Sequence, residues 1–95
     1  MTTHEVVHVA EESRYRILVD GEATGLIDYS VRGSTIHLTH TEIDPAKRTN
    51  GLGGVLVQGA LDQIRAETEY SVAPDCPFVA EWIDGHPEYQ DLLGR

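Results

Sequence analysis

Basic residues are scarce in this 95-residue sequence, in which seven Lys and Arg stand against sixteen Asp and Glu. The formal net charge is −9 at pH 7. A nucleic-acid phosphate backbone is bound mainly through a basic protein surface, so this balance argues against nucleic acid as a partner. The same acidity disfavours binding to an anionic membrane surface.

Cysteine and long apolar runs are also nearly missing. The single cysteine excludes a disulfide within the chain. No apolar run approaches the roughly eighteen residues that a membrane-spanning helix needs, and the first ten residues lack the basic start and apolar stretch of a signal peptide. These absences predict a cytoplasmic protein.

The remaining composition favours one globular unit. A hydrophobic content of 40% is sufficient for a folded core. No linker, internal repeat or low-complexity tract divides the chain, so we predict a single domain over residues 1–95. Nothing in the residues requires a dimer, and a monomer is the expectation.

The first half of the chain is predicted to form an antiparallel meander, because apolar and polar residues alternate there. In its last strand Ile36 and Leu38 point inward. Continuing the alternation places His40 and Glu42 on the same face, which predicts that the core opens into a cleft at that end. The four predicted strands cover residues 5–10, 14–20, 23–31 and 35–43.

The second half is predicted to be mostly helical. Apolar residues recur every fourth position in residues 51–67, which is typical of an amphipathic helix. A short strand at 70–73 follows, and Asp75 is the predicted N-cap of a second helix over 76–84. A last short helix is expected at 86–93. The fold class is therefore α+β, with a mixed, mostly antiparallel sheet, a long central helix and short C-terminal helices.

A glycine-rich loop precedes the long helix and reads Arg48-Thr49-Asn50-Gly51-Leu52-Gly53-Gly54. The first N–H groups of a helix lack partners and carry the positive end of its dipole, so a phosphate or diphosphate suits this position. Lys47 and Arg48 are the only adjacent basic pair in the chain. No Lys follows the glycines, which excludes a Walker A loop. A plain helix start with two solvated charges is the alternative interpretation.

The loop resembles that of a known enzyme family. Arg48, Gly51 and Gly53 form an R-x-x-G-x-G pattern between a strand and a long amphipathic helix, as in the acetyl-CoA loop of GCN5-related N-acetyltransferases. The segments His40-Thr41-Glu42, Cys76-Pro77-Phe78-Val79 and His86-Pro87-Glu88-Tyr89 occur in the same order in a small single-domain subfamily. This resemblance covers residues 5–93.

The resemblance implies a GNAT-like acyl-CoA N-acyltransferase fold that lacks the N-terminal helices of longer members, which help to form the acceptor site. In that family the sheet splays open near the fourth strand, where the pantetheine arm of acetyl-CoA enters. Backbone groups of Glu42 and Ile43 would pair with this arm, and N–H groups of the loop would hold the diphosphate. The implied cofactor-binding residues are Ile43, Arg48, Thr49, Asn50, Gly51, Leu52, Gly53 and Gly54.

Cys76 is the first catalytic candidate. It is the only thiol and lies at a predicted helix N-terminus, where the helix dipole favours a thiolate. Such a thiolate could accept the acetyl group and pass it on. A buried cysteine that acts as a small hydrophobe is the alternative.

Three further residues are candidates for proton transfer. His40 and Glu42 share a strand face and are candidate bases for the acceptor amine, with two exposed polar groups as the alternative. Tyr89 is a candidate proton donor to the departing thiolate, as a C-terminal tyrosine is in many relatives, or it packs the last helix. Phe78 and Trp82 are predicted core residues. The histidines show no metal-binding spacing, so no metal is predicted.

Three functions follow, in order. The first is an acetyl-CoA-binding N-acetyltransferase that moves an acetyl group to an unidentified small-molecule or protein amine. The second is a CoA or acetyl-CoA-binding module without turnover. The third is an interaction domain whose glycine loop is only a helix start. The ordered motifs favour the first.

Overall fold

The computed structural model describes residues 3–47 and 51–95 of the chain. A five-stranded sheet has the spatial order β1-β2-β3-β4-β5. The first four strands pair antiparallel, and β5 runs parallel to β4. The strands are β1 (His4–Val9), β2 (Arg14–Val19), β3 (Glu22–Arg32), β4 (Thr35–Ile43) and β5 (Ser71–Ala73).

Two α-helices accompany the sheet, α1 (Leu52–Glu67) and α2 (Pro77–Asp84). Short 3₁₀ helices cover Ala10–Glu12, Pro45–Lys47 and Pro87–Gly94. The predicted α+β class with a mixed sheet is confirmed, and the last predicted helix has 3₁₀ geometry. None of the helices within the described ranges combines the length and the apolar character needed to cross a bilayer.

The core lies between one face of the sheet and the helices. The apolar stripe of α1 buries its side chains against inward-facing residues of β2, β3 and β4, as the four-residue spacing predicted. The helix also lies close to β1, because a Cβ atom on Gly59 would be 2.7 Å from the Val6 Cβ. The fully buried residues include Ile17, Ile27, Leu38, Leu56, Leu61 and Ile64.

A β-bulge interrupts the pairing of β3 and β4. Tyr29 lies opposite Leu38, whereas the preceding residue Asp28 lies opposite His40. Thr39 is therefore an extra residue on β4. Both Thr39 and His40 are exposed, so the regular alternation of this strand is broken after Leu38.

The bulge changes which residues face the helices. Thr41 and Ile43 lie on the core side of β4, while His40 and Glu42 are exposed on the opposite face of the sheet. The prediction that His40 and Glu42 continue the inward row is wrong, because one extra residue moves every later side chain to the other face.

The sheet opens between β4 and β5. The two strands pair only from Thr35 to His37, and the backbone N–H of Cys76 then donates to the Leu38 carbonyl at 2.9 Å. Beyond Leu38, β4 pairs only with β3 among the described residues. The expected opening at the end of the fourth strand is present.

Helix α2 begins one residue later than predicted. Cys76, and not Asp75, is its N-cap residue, with an extended backbone and a proline following at the first helical position. The Asp75 carboxylate instead meets His37 on β4, with 3.0 Å between Oδ2 and Nδ1. The N-cap prediction for Asp75 is therefore wrong, because its carboxylate is paired across the chain.

Candidate active site

A cavity of about 400 Å³ lies where the sheet opens. The core side of β4 forms one wall, the first turn of α1 forms the second, and the first turn of α2 closes the third side. This places the open strand edge, a helix N-terminus and the Cys76 region next to one another. The lining residues are Thr41, Ile43, Gly51, Leu52, Gly53, Gly54 and Phe78.

The N-terminus of α1 borders this cavity. Gly51 is its N-cap residue with φ of +68°, a left-handed conformation that glycine adopts without steric cost. In the described part of the helix start, no side chain caps the first turn and no acidic residue lies within it. The unpartnered N–H groups and the positive end of the dipole suit an anion. Arg48, Thr49 and Asn50, predicted for cofactor binding, lie outside the described residues.

Two glycines of the first turn are covered by aromatic side chains. A Cβ atom on Gly53 would lie 2.6 Å from Cζ of Phe78. One on Gly54 would lie 3.2 Å from Nε1 of Trp82. The absent side chains therefore let α2 approach the start of α1 closely.

Cys76 lies beside the cavity, with 8% of its surface exposed. Its Sγ donates to the Thr41 hydroxyl at 3.4 Å. Burial raises the pKa of the thiol. Once the sulfur is ionised, the Thr41 hydroxyl can donate to it in turn, and this hydrogen bond together with those from the backbone N–H groups of Val79, Phe78 and Thr41 outweighs burial, so that the pKa lies below its usual value. Within the described residues, hydrogen bonds and not a cationic side chain favour the thiolate.

The family model for GCN5-related N-acetyl-transferases matches residues 14–92. The chain belongs to this family. No match was found among curated proteins. Membership supports an acetyltransferase-type function and confirms the resemblance that the Arg48–Gly53 pattern indicated.

Two catalytic candidates of this N-acetyltransferase domain lie on the outer face of the sheet. His40 Nε2 and Glu42 Oε2 are 3.0 Å apart, and both side chains are largely exposed. The bulge turns them away from the cavity, which Thr41 between them lines. Their role as proton acceptors stays a prediction. No group of three or more His, Cys, Asp or Glu among the described residues is placed to hold a metal.

Tyr89 lies apart from the residues that line the cavity. Its hydroxyl donates to Asp62 Oδ1 at 2.7 Å, and its ring packs edge-on against Trp82 at 5.1 Å. Burial and the Asp62 carboxylate raise the pKa of its phenol. Asp62 is ten residues beyond Leu52, about 15 Å along the helix axis. The structure supports the packing interpretation of Tyr89, and its role as proton donor stays a prediction.

Two residues that border the candidate site were missed by sequence reasoning. Thr41 was passed over because its neighbours His40 and Glu42 were assigned to the inner face. Phe78 was assigned to the core, yet it is 44% exposed and lines the cavity. The two glycines at positions 53 and 54 were the available signal, since paired small residues mark a close approach of another element.

Proposed function

We propose that this domain binds acetyl-CoA and transfers its acetyl group to an amine. The observation that carries the proposal is the continuity of the cavity. It joins the N-terminus of α1 to the open edge of β4, and at Thr41 it reaches the hydroxyl that holds the Cys76 thiol.

The residues present fit such a ligand. The N–H groups of the first turn, at Gly51 to Gly54, would hold a diphosphate, because they lack helical partners and the described first turn contains no acidic residue. Backbone groups of Glu42 and Ile43 on the open edge of β4 would pair with the amides of the pantetheine arm. Acetyl-CoA, when bound, supplies an acetyl thioester at the end of that arm.

Cys76 is the proposed nucleophile. Its thiolate would form a bond to the acetyl carbon as the bond from that carbon to the CoA sulfur breaks, and the released thiolate takes up a proton. The Thr41 hydroxyl and the N–H groups of the first turn of α2 stabilise the charged sulfur before this step. The amine nitrogen would then form a bond to the acetyl carbon as the bond from that carbon to the Cys76 sulfur breaks, which restores the Cys76 thiolate while the amine gives up a proton.

His40 and Glu42 are the proposed proton acceptors. The amine must lose a proton to react, and both groups lie on the outer face of β4 beside the opening between β4 and β5. An amine approaching from that face would meet them before it reaches Cys76. In this proposal the two substrates approach from opposite faces of the sheet.

The test combines calorimetry with mass spectrometry. CoA and acetyl-CoA are titrated into the protein, and the intact mass of the protein from the acetyl-CoA titration is measured by mass spectrometry. We expect binding of both, and one added acetyl group that Cys76→Ser removes while CoA binding is kept. Arg48→Ala should weaken binding, whereas the matched control Arg32→Ala on β3 should not.

Each other outcome has a definite meaning. If neither compound binds, the proposed function is wrong and the interaction-domain interpretation replaces it. Binding without an acetylated protein would remove Cys76 as nucleophile. A panel of amines would then separate direct transfer from a binding module without turnover.

A further inference from the structure

Phe78 is an exposed aromatic residue in the lining of the cavity. It lies in the first turn of α2, and 44% of its surface is accessible. Its backbone N–H faces the Cys76 thiol, and the tip of its ring reaches Gly53. Phe78 therefore contacts both the Cys76 sulfur, through its backbone, and the start of α1, through its ring.

Gly51 and Gly53 meet different requirements. Gly51 has a left-handed backbone, and a Cβ atom there would have no neighbour within 4 Å. Gly53 is helical, and a Cβ atom there would lie 2.6 Å from Cζ and 3.1 Å from Cε2 of Phe78. Such distances are far below van der Waals contact, so any side chain at Gly53 displaces the ring.

We propose that Phe78, seated on Gly53, forms the wall against which the pantetheine arm packs, and that Gly53 is required for this seat and not for approach of the diphosphate. The inference rests on the proposed function for the identity of the ligand. Phe78 and Ile43 both line the cavity, so the exposed ring leaves apolar surface in water beside the open strand, and a chain-like ligand in the cavity would cover it. The wall would also hold the thioester end near Cys76.

The test separates the two halves of the ligand. CoA and 3′-phospho-ADP, which has the diphosphate but no arm, are titrated into the wild type, Phe78→Ala, Gly53→Ala and the double variant. We expect Phe78→Ala to weaken CoA about tenfold, or about 1.4 kcal/mol, and 3′-phospho-ADP less than about twofold. Phe78→Leu, which keeps an apolar wall, should recover part of the loss.

Gly53→Ala supplies the decisive comparison. In the wild-type background its methyl group should displace the ring and weaken CoA but not 3′-phospho-ADP. In the Phe78→Ala background the same change should have no effect, because the displaced ring is gone. If Gly53→Ala weakens both compounds, and does so with or without the ring, the inference is overturned and the glycine serves the diphosphate.

A measurement without ligand keeps this test independent of the proposed function. In the wild type, the ring current of Phe78 should shift the Hα NMR signals of Gly53, and Phe78→Ala should return them to ordinary positions. Gly53 Hα signals that are the same in the wild type and in Phe78→Ala would contradict the contact between the ring and Gly53. Failure of the wild type to bind either compound would instead overturn the proposed function, even where the Gly53 signals show the ring in place.

Discussion

The hydroxyl of Thr41 should control the acidity of the Cys76 thiol, and Thr41→Val tests this directly. Valine keeps the shape of the side chain but removes the oxygen that lies 3.4 Å from Sγ. Burial favours the neutral thiol, whereas the hydrogen bond from Thr41 stabilises the thiolate. Without that hydrogen bond, the effect of burial is less fully offset. The thiol pKa should therefore rise.

The size of the shift follows from the type of hydrogen bond. A hydrogen bond to a charged group contributes about 1.5–3 kcal/mol. The backbone N–H groups of Phe78 and Val79 remain in the variant, so we take the lower end of this range. This corresponds to a rise of about one pKa unit.

The assay uses the fact that the chain has one cysteine, so every alkylation event reports on Cys76. The rate of reaction with iodoacetamide is measured against pH for the wild type, Thr41→Val and Thr41→Ser. The midpoint should move to higher pH in Thr41→Val and stay near the wild-type value in Thr41→Ser, which keeps the hydroxyl. Equal midpoints in all three folded proteins would refute the reasoning and would mean that the backbone N–H groups alone stabilise the thiolate.

Two predictions concern stability. Gly59→Ala places a methyl group 2.7 Å from the Val6 Cβ. Overpacking costs about 1–3 kcal/mol and the better helix propensity of alanine returns about 1 kcal/mol, so urea unfolding should show a net loss of stability of about 1 kcal/mol. Val6→Ala should reverse this loss, and a gain in stability for Gly59→Ala would contradict the tight contact. A hydrogen bond from Arg65 lowers the pKa of Asp91, so the ionised carboxylate stabilises the fold above the ordinary carboxyl pKa and this contribution disappears as the pH falls through the lowered value. Asp91→Asn should flatten the acid side of a plot of Tm against pH, and an unchanged slope would contradict this.

Local patterns were sufficient for the elements and for the family. The four-residue spacing of apolar residues in α1 and the alternation in the strands each depend on neighbours along the chain, because side-chain direction repeats with the backbone geometry. The glycine loop with the Cys76 and Tyr89 segments identified the family in the same way. The sequence therefore indicated an α+β domain and an acetyltransferase-type function. The opening near β4 followed correctly from the resemblance alone, because the inward row of His40 and Glu42, from which alternation predicted it, is wrong.

The arrangement of the site depended on contacts between distant segments. Whether Thr41 or His40 faces the cavity is decided by an unpaired residue opposite β3, and alternation within β4 contains no sign of it. Phe78 becomes a cavity wall because α2 comes close to Gly53, more than twenty positions earlier in the chain. Strand register and helix approach are set by packing across the whole domain, so a pattern read along one segment does not specify them.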